Sequence, residues 1–397
     1  MTLVATHPPL VLPGTDGATT TPSVIFSFGM GVDSVALILR WLEEPSSRDF
    51  DLADLVMITA QVGDEFDSTR QLVEDHVLPR LRRAGVRFIQ CARSQRKTTA
   101  AGDGVVILDD STAPQQLYFD GSYTLSQEMI SQGTIPQRGG FRACSIHAKG
   151  NILDSVIATI TQGRPYRHAI GFEVNEQGRA LKDSRYNTAA RQGWYPLVEW
   201  GFTRQDCLNY IAEKTGVEWL KSACGFCPFA MANDSGRRNL LERYRTDPTL
   251  AAKALLMEDI ARRLNPRQTL IAGSSLAEVV AAADLPAVWA ALDALHAELE
   301  FAVYEVRRVT PRAKDGGRGV AARSVRAVAR GSRAQMDTHL AALPGQRIRG
   351  EDHIVRHHLP AADRCEHLFV VAPALVDDKQ RPQFTTFWQE HNADALF

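Results

Sequence analysis

Val24-Ile25-Phe26-Ser27-Phe28-Gly29-Met30-Gly31-Val32-Asp33-Ser34-Val35 passes from an apolar, aromatic-rich run through a glycine turn into a helical pattern that reaches Leu42 and is closed by Glu43, Glu44 and Pro45. A short apolar run of this kind reads as a buried strand. The unit then repeats. Leu52 to Ala60 reads as a second strand, and Glu65 to Ala84 as an amphipathic helix broken near Pro79. Val86 to Ala92 reads as a third strand and Tyr166 to Glu173 as a later one. Strands alternating with helices predict a parallel sheet covered on both faces, a doubly wound α/β fold.

The rest of the chain follows other patterns. Residues 93–140 are rich in Gly, Ser, Gln and Thr with little periodicity, which predicts a long functional loop such as a flap over a site. Leu240 to Glu300 is helical in pattern. Strand patterns follow at Phe301–Thr310, Ala322–Ala329 and Leu368–Leu375, with a helix at Ser332–Leu343 among them. The expected organisation is a leader over 1–23, an α/β core over 24–235, a helical region over 236–300 and a small basic α+β appendage over 301–397.

Composition sets bounds on these elements. The 397 residues are 44% hydrophobic and 23% charged, which excludes a largely disordered chain. No run of about 18 apolar residues occurs, and residues 1–23 lack the basic and apolar regions of a secretory signal. Six cysteines in a chain of this length read as thiols or metal ligands in a reducing cytoplasm. Lys plus Arg (45) nearly balances Asp plus Glu (46), but the charge is uneven. Between Glu305 and Gly350, ten Arg and Lys314 face three acidic residues. Arg323, Arg326, Arg330 and Arg333 read there as a basic face suited to a polyphosphate partner, against the plainer reading of a solvated surface.

The glycine turn is the first candidate site. Glycines allow close backbone approach, and a helix N-terminus favours an anion. Gly29-Met30-Gly31 opens a dinucleotide fingerprint, but Ser34 stands where its third glycine belongs. The Gly-Lys-Ser/Thr of a Walker loop is also missing. Ser27 through Ser34 instead resembles the pyrophosphate loop S-G-G-x-D-S of ATP pyrophosphatases, in the expanded form of the phosphoadenosine phosphosulfate (PAPS) reductase family. Further elements match in order. Gln61-Val62-Gly63-Asp64-Glu65 stands at the family's acidic segment, although it departs from Asp-Thr-Gly. Arg142-Ala143-Cys144-Ser145, with Lys149, resembles Arg-x-Cys-Thr-x3-Lys. Gly171, Glu176 and Arg179 match Gly-x4-Glu-x2-Arg, Tyr195 to Trp200 matches Pro-Leu-x-x-Trp, and Cys224-Gly225-Phe226-Cys227-Pro228 follows.

This resemblance covers roughly residues 24–235. It implies a nucleotide-binding fold of the adenine nucleotide alpha hydrolase-like (HUP-like) type that forms an adenylated intermediate and releases pyrophosphate. It also implies phosphate contacts from Ser27, Phe28, Gly29, Met30, Gly31, Val32, Asp33 and Ser34, with Asp33 toward Mg²⁺, and catalytic roles for Asp33, Arg142, Lys149 and Arg179. The C-x2-C pair Cys224/Cys227 reads as zinc, iron–sulfur or redox dithiol. With Cys144, three thiolates suit a [4Fe–4S] cluster with one open iron, as in relatives that thiolate tRNA. Zinc would need a fourth ligand, for which Cys207 and His147 are the candidates. Cys91 reads as a buried hydrophobe, and His353, His357, His358, Cys365 and His367 form a looser group.

True PAPS reductases carry a C-terminal Glu-Cys-Gly-x-His nucleophile. Here Val376 to Phe397 holds no cysteine, and Asp363-Arg364-Cys365-Glu366-His367 does not match. The expectation is therefore ATP-dependent sulfur insertion into tRNA, DNA or a nucleotide, with a cysteine desulfurase as sulfur donor. The alternatives are a sulfonucleotide reductase and a regulatory nucleotide-binding protein on the same fold.

Overall fold

The structure, a computed structural model, describes residues 21–119, 121–138, 143–313, 317, 319–380 and 382–392. The chain divides into two compact units, Met1–Leu125 with Gly139–Gly225, and Ser126–Arg138 with Phe226–Phe397.

In the first unit β1 (Val24–Ser27) lies inside a six-stranded sheet of order β4-β3-β2-β1-β5-β6. Its partners are β2 (Leu55–Gln61) and β5 (Tyr166–Ile170), both parallel to it. β3 (Arg87–Arg93) extends the sheet beyond β2, and β6 (Arg191–Trp194) beyond β5, also in parallel. β4 (Val105–Ser111) closes one edge antiparallel to β3. Residues 93–140 are therefore not loop alone. They contribute this edge strand and the helix α4 (Leu125–Ser131), at whose first residue the division between units falls.

Strand alternation sends successive side chains to opposite faces. Val24 and Phe26 join one buried cluster with α1 (Val32–Glu43), α2 (Asp67–His76) and α3 (Leu78–Ala84). Ile25, Val56 and Ile58 join a second cluster on the other face. The α2–α3 break falls at Val77, because Pro79 has no N–H to continue the helix. Toward that second face the chain runs through the turn α5 (Ala143–Ser145) and a π-helical stretch, Ile146–Gly150, into α6 (Asn151–Thr161), which packs Ile152, Val156, Ile157 and Ile160 there. α7 (Gln177–Asp183), α8 (Pro196–Glu199) and α9 (Arg204–Thr215) complete the unit, with Leu197, Cys207 and Ile211 on the α1 side. Each fully buried Phe, Ile or Leu contributes roughly 2 kcal/mol. This is a mostly parallel α/β sheet covered on both faces, compatible with a doubly wound fold.

The topology positions a site. From β1 the chain moves outward to β2 and β3, then returns to the other side of β1 for β5 and β6. The loops after β1 and β5 therefore leave the sheet side by side, at the switch point where open α/β sheets take their ligands.

The second unit begins with helices α10 (Asp234–Thr246), α11 (Pro248–Leu264), α12 (Leu276–Ala282) and α13 (Pro286–Ala297). A separate antiparallel sheet of order β8-β7-β11-β10-β9 follows. It is built from β7 (Phe301–Val309), β8 (Ala322–Gly331), β9 (Gln346–Arg349), β10 (Val355–His358) and β11 (Cys365–Pro373). α14 (Arg333–Ala342) packs Met336 and Leu340 on Phe301, Val303 and Val371, and α15 (Phe384–Asn392) packs Phe384 and Trp388 near Val309. Among the described residues no helix is long and apolar enough to cross a membrane.

Candidate nucleotide site at the sheet switch point

α1 starts at Val32 behind Gly31, which brings no side chain to cap it. The first N–H groups of a helix have no intrahelical partner, so this end favours an anion. Gly29 and Gly31 stand in the loop between β1 and α1. Neither has a positive φ, and an added Cβ would come no closer than 4.0 Å to Ser34 Oγ at Gly29, or 3.9 Å to Ser222 Cβ at Gly31. Neither backbone conformation nor packing within the chain demands glycine at these positions. Space held open beside a helix N-terminus is what close approach of a ligand requires. Gly171 has the opposite explanation. A Cβ there would lie 3.0 Å from Ser34 N and 3.2 Å from Asp33 C, so glycine lets the β5 loop pack on the first turn of α1.

Met30 sits at φ 60°, a left-handed conformation that costs a non-glycine residue about 1 kcal/mol or more. Its neighbours hold it there. Trp219 Nε1 donates to Met30 O at 3.0 Å, and the Met30 side chain is buried. Ser222 Oγ donates to Gly29 O at 3.1 Å and lies 3.4 Å from Glu65 Oε2. Ser34 Oγ donates to Gly31 O at 2.9 Å, so its single proton points into the loop. Ser27 Oγ meets His168 Nε2 at 2.8 Å.

Asp33 is the strained charge of the site. Arg204, at the start of α9, donates to Asp33 Oδ2 at 2.5 Å, while buried Oδ1 meets no hydrogen-bond partner among the described residues. Burial raises the Asp33 carboxyl to about 6, Arg204 opposes that rise, and Glu176 and Glu173 add to it. Cys207 is fully buried close by, and desolvation pushes its thiol up to about 12. It packs in the α1 core as a small hydrophobe.

Of the other candidates, Arg142 lies outside the described residues. Lys149 Nζ is 3.5 Å from Glu65 Oε1. Arg179 is more than half exposed, pairs with Glu176 and stacks over Phe172 at 4.5 Å. Asp64 is buried, with its carbonyl accepting from Gly225 N at 2.9 Å. Sequence reasoning missed Arg204, His168, Glu173 and Ser222. Arg204 left one signal, since a cation in the first turn of a helix opposes the dipole and needs a compensating partner.

No disulfide joins any of the six cysteines. Cys144 and Cys224 belong to the first unit and Cys227 to the second. Among the described residues no three His, Cys, Asp or Glu side chains gather as a metal site. The two thiols of the first unit are one short of the three thiolates that a [4Fe–4S] cluster with one open iron takes. Mg²⁺ is less demanding, because it takes one or two carboxylates beside substrate phosphates and water, and the orphaned Asp33 Oδ1 fits that role. Buried Cys91 donates to Thr59 O at 3.2 Å, with its thiol pushed up by burial.

The C-terminal candidates are occupied elsewhere. His357 Nδ1 lies 3.1 Å from Leu343 O, His367 Nε2 lies 2.9 Å from Glu305, and Cys365 Sγ donates to His391 O at 3.4 Å. The basic segment is also largely engaged. Arg323 is buried on the carbonyls of Gln132 and Gly133, Arg326 pairs with Glu305, and Arg308 pairs with Glu366. Arg330 reaches Ala374 O at 3.3 Å, and Arg333 lies 4.0 Å from Asp337. Lys314, Asp315 and Arg318 lie outside the described residues.

Fold and loop together define an α/β protein with an anion-ready helix N-terminus at its sheet switch point. No protein-family model matches this chain, and no curated protein and no solved structure does.

Proposed function

We propose that the first unit binds Mg²⁺·ATP at Ser27–Ser34 and cleaves it between the α- and β-phosphates, as an ATP pyrophosphatase of the adenine nucleotide alpha hydrolase-like class. The observation that carries the reading is the Gly29/Gly31 pair, kept open at the switch point with no structural demand for glycine. The loop amides and the first turn of α1 bind phosphate oxygens. Arg204 holds Asp33 ionised at neutral pH against its burial, leaving Oδ1 available to a cation. Asp33 Oδ1 would hold the Mg²⁺ that enters with ATP, and that ion would supply neutralising charge for the departing pyrophosphate. An acceptor oxygen attacks the α-phosphorus and pyrophosphate leaves, which makes the acceptor an adenylate.

Sulfur insertion into a nucleic acid is the second half of the proposal. It is supported by the position of Cys224, which pairs in a β-bridge with Glu65 two residues beyond Ser222, on the rim of the phosphate loop. The outer sulfur of a persulfide on Cys224, loaded by a cysteine desulfurase, attacks the adenylated acceptor and displaces AMP. An external thiol then cleaves the acceptor–S–S–Cys224 disulfide, is itself oxidised to a disulfide, and leaves the sulfur on the acceptor. The test is mass spectrometry of tRNA and DNA from cells with and without the gene. A sulfur-for-oxygen mass shift is expected, and unchanged nucleic acids would remove this half. Sulfite released from PAPS and thioredoxin would favour the reductase alternative.

A further inference from the structure

A half-buried polar chain, with His168 buried at its centre, runs from the phosphate loop to the far edge of the parallel sheet. Ser27 ends β1, and in the parallel register Ile25 faces His168 while Ser27 faces Ile170. Ser27 and His168 thus project to the same face as diagonal neighbours, and Ser27 Oγ lies 2.8 Å from His168 Nε2. On the next strand Arg191 Nε donates to His168 Nδ1 at 3.0 Å. Arg191 in turn donates to Asp183 Oδ2 at 2.7 Å, and Tyr195 OH donates to the same oxygen at 2.8 Å. Gly193 clears the path, because a Cβ there would lie 2.4 Å from Tyr195 OH and 3.1 Å from Asp183 Oδ2.

Hydrogen-bond bookkeeping along this chain has one solution. Arginine only donates, so His168 Nδ1 must accept and carry no proton. A neutral imidazole then bears its proton on Nε2, which donates to Ser27 Oγ. The ring is neutral because it is buried, beside the Arg191 cation, and these hold it down at about 4, with Asp183 opposing. Asp154 and Tyr166 also face Arg191. Ser27 therefore accepts from His168 and keeps its own hydroxyl proton for another acceptor.

We propose that Arg191 fixes His168 as the Nε2-protonated tautomer, and that His168 thereby makes the Ser27 hydroxyl a dedicated donor to a nucleotide phosphate oxygen. The inference rests on the nucleotide reading above for the identity of that acceptor. It makes His168 a positioning residue. It also excludes a Ser–His nucleophile pair, since protonated Nε2 cannot take a proton from Ser27.

The test has two arms on the full chain. Histidine-selective ¹⁵N labelling with long-range ¹H–¹⁵N correlation reads the tautomer, using His168→Gln to assign the signal. Expected is an Nε2–H imidazole from pH 8 down to pH 5, and an Nδ1–H form or an imidazolium in that range overturns the proposal. In the second arm, affinity for α,β-methylene-ATP with Mg²⁺ is measured after thermal unfolding confirms that each variant folds. Ser27→Ala and His168→Ala should each weaken binding about tenfold, and the double variant no further, because they remove one shared donor. His168→Gln keeps a side-chain N–H donor and should recover most of the affinity. Additive losses, or a His168→Gln as weak as His168→Ala, overturn the coupling. If the wild type binds no nucleotide, the functional reading and the phosphate role fall together, and the nitrogen spectrum alone still decides the tautomer.

Discussion

Asp33→Asn separates a functional charge from a structural one. Burial raises the Asp33 carboxyl from 3.8 to about 6 in the folded protein. Each unit is worth about 1.4 kcal/mol, so the ionised form costs roughly 3 kcal/mol of stability at pH 8. A raised carboxylate carries no penalty below its unfolded value, because both states are then protonated. Stability falls as pH rises through the window from about 4 to about 6, and is level above it. Asparagine removes the buried charge but sets an amide near Arg204, whose side chain is 42% exposed, and that loss offsets about 1 kcal/mol. The variant should be more stable than the wild type by about 1–2 kcal/mol at pH 8 in urea unfolding, and lose this margin by pH 4. It should also lose Mg²⁺-dependent nucleotide binding. A variant that is less stable at pH 8, or whose margin ignores pH between 4 and 6, would refute the assignment of Asp33 as a strained, ligand-awaiting carboxylate.

Other outcomes follow from the same geometry. Gly29→Ala should leave unfolding stability within about 0.5 kcal/mol, since its Cβ meets nothing closer than 4.0 Å, yet weaken ATP binding at least tenfold by calorimetry. Gly171→Ala should lose about 1–3 kcal/mol in denaturant unfolding together with affinity, because its Cβ presses on the first turn of α1 at 3.0 Å. Arg204→Met removes the group that opposes Asp33 protonation, so the acid limb of the pH–affinity profile should move to higher pH. Cys224→Ser should retain pyrophosphate release while abolishing the sulfur-for-oxygen mass shift in nucleic acid.

Much of the first unit is legible because its signals are local. Val24–Ser34 announces strand, glycine turn and helix within a dozen residues, and Pro79 marks the α2–α3 break. The elements that escaped are those whose reason is distant or weak. β4 reads as part of a polar loop because it is a half-exposed edge strand whose partner, β3, supplies the pairing. β9 is exposed throughout, so no alternation marks it. The site divides in the same way. Its glycines and Asp33 stand in one motif, whereas Arg204 lies 171 residues from Asp33 and His168 lies 141 from Ser27. Pairing of β1 with β5 brings Ser27 to His168, and packing of α9 on α1 brings Arg204 to Asp33. The Arg-rich segment shows the limit of counting charge, since Arg323, Arg326 and Arg308 satisfy carbonyls and carboxylates within their own unit.

The most direct measurement is the product ratio from ATP. Protein incubated with Mg²⁺, ATP labelled in the α- and γ-phosphates, and total tRNA or DNA should release pyrophosphate and AMP or an adenylated acceptor in equal amounts, with the release lost in Asp33→Asn. ADP with inorganic phosphate, or bound ATP that is never cleaved in any acceptor pool, would contradict cleavage between the α- and β-phosphates.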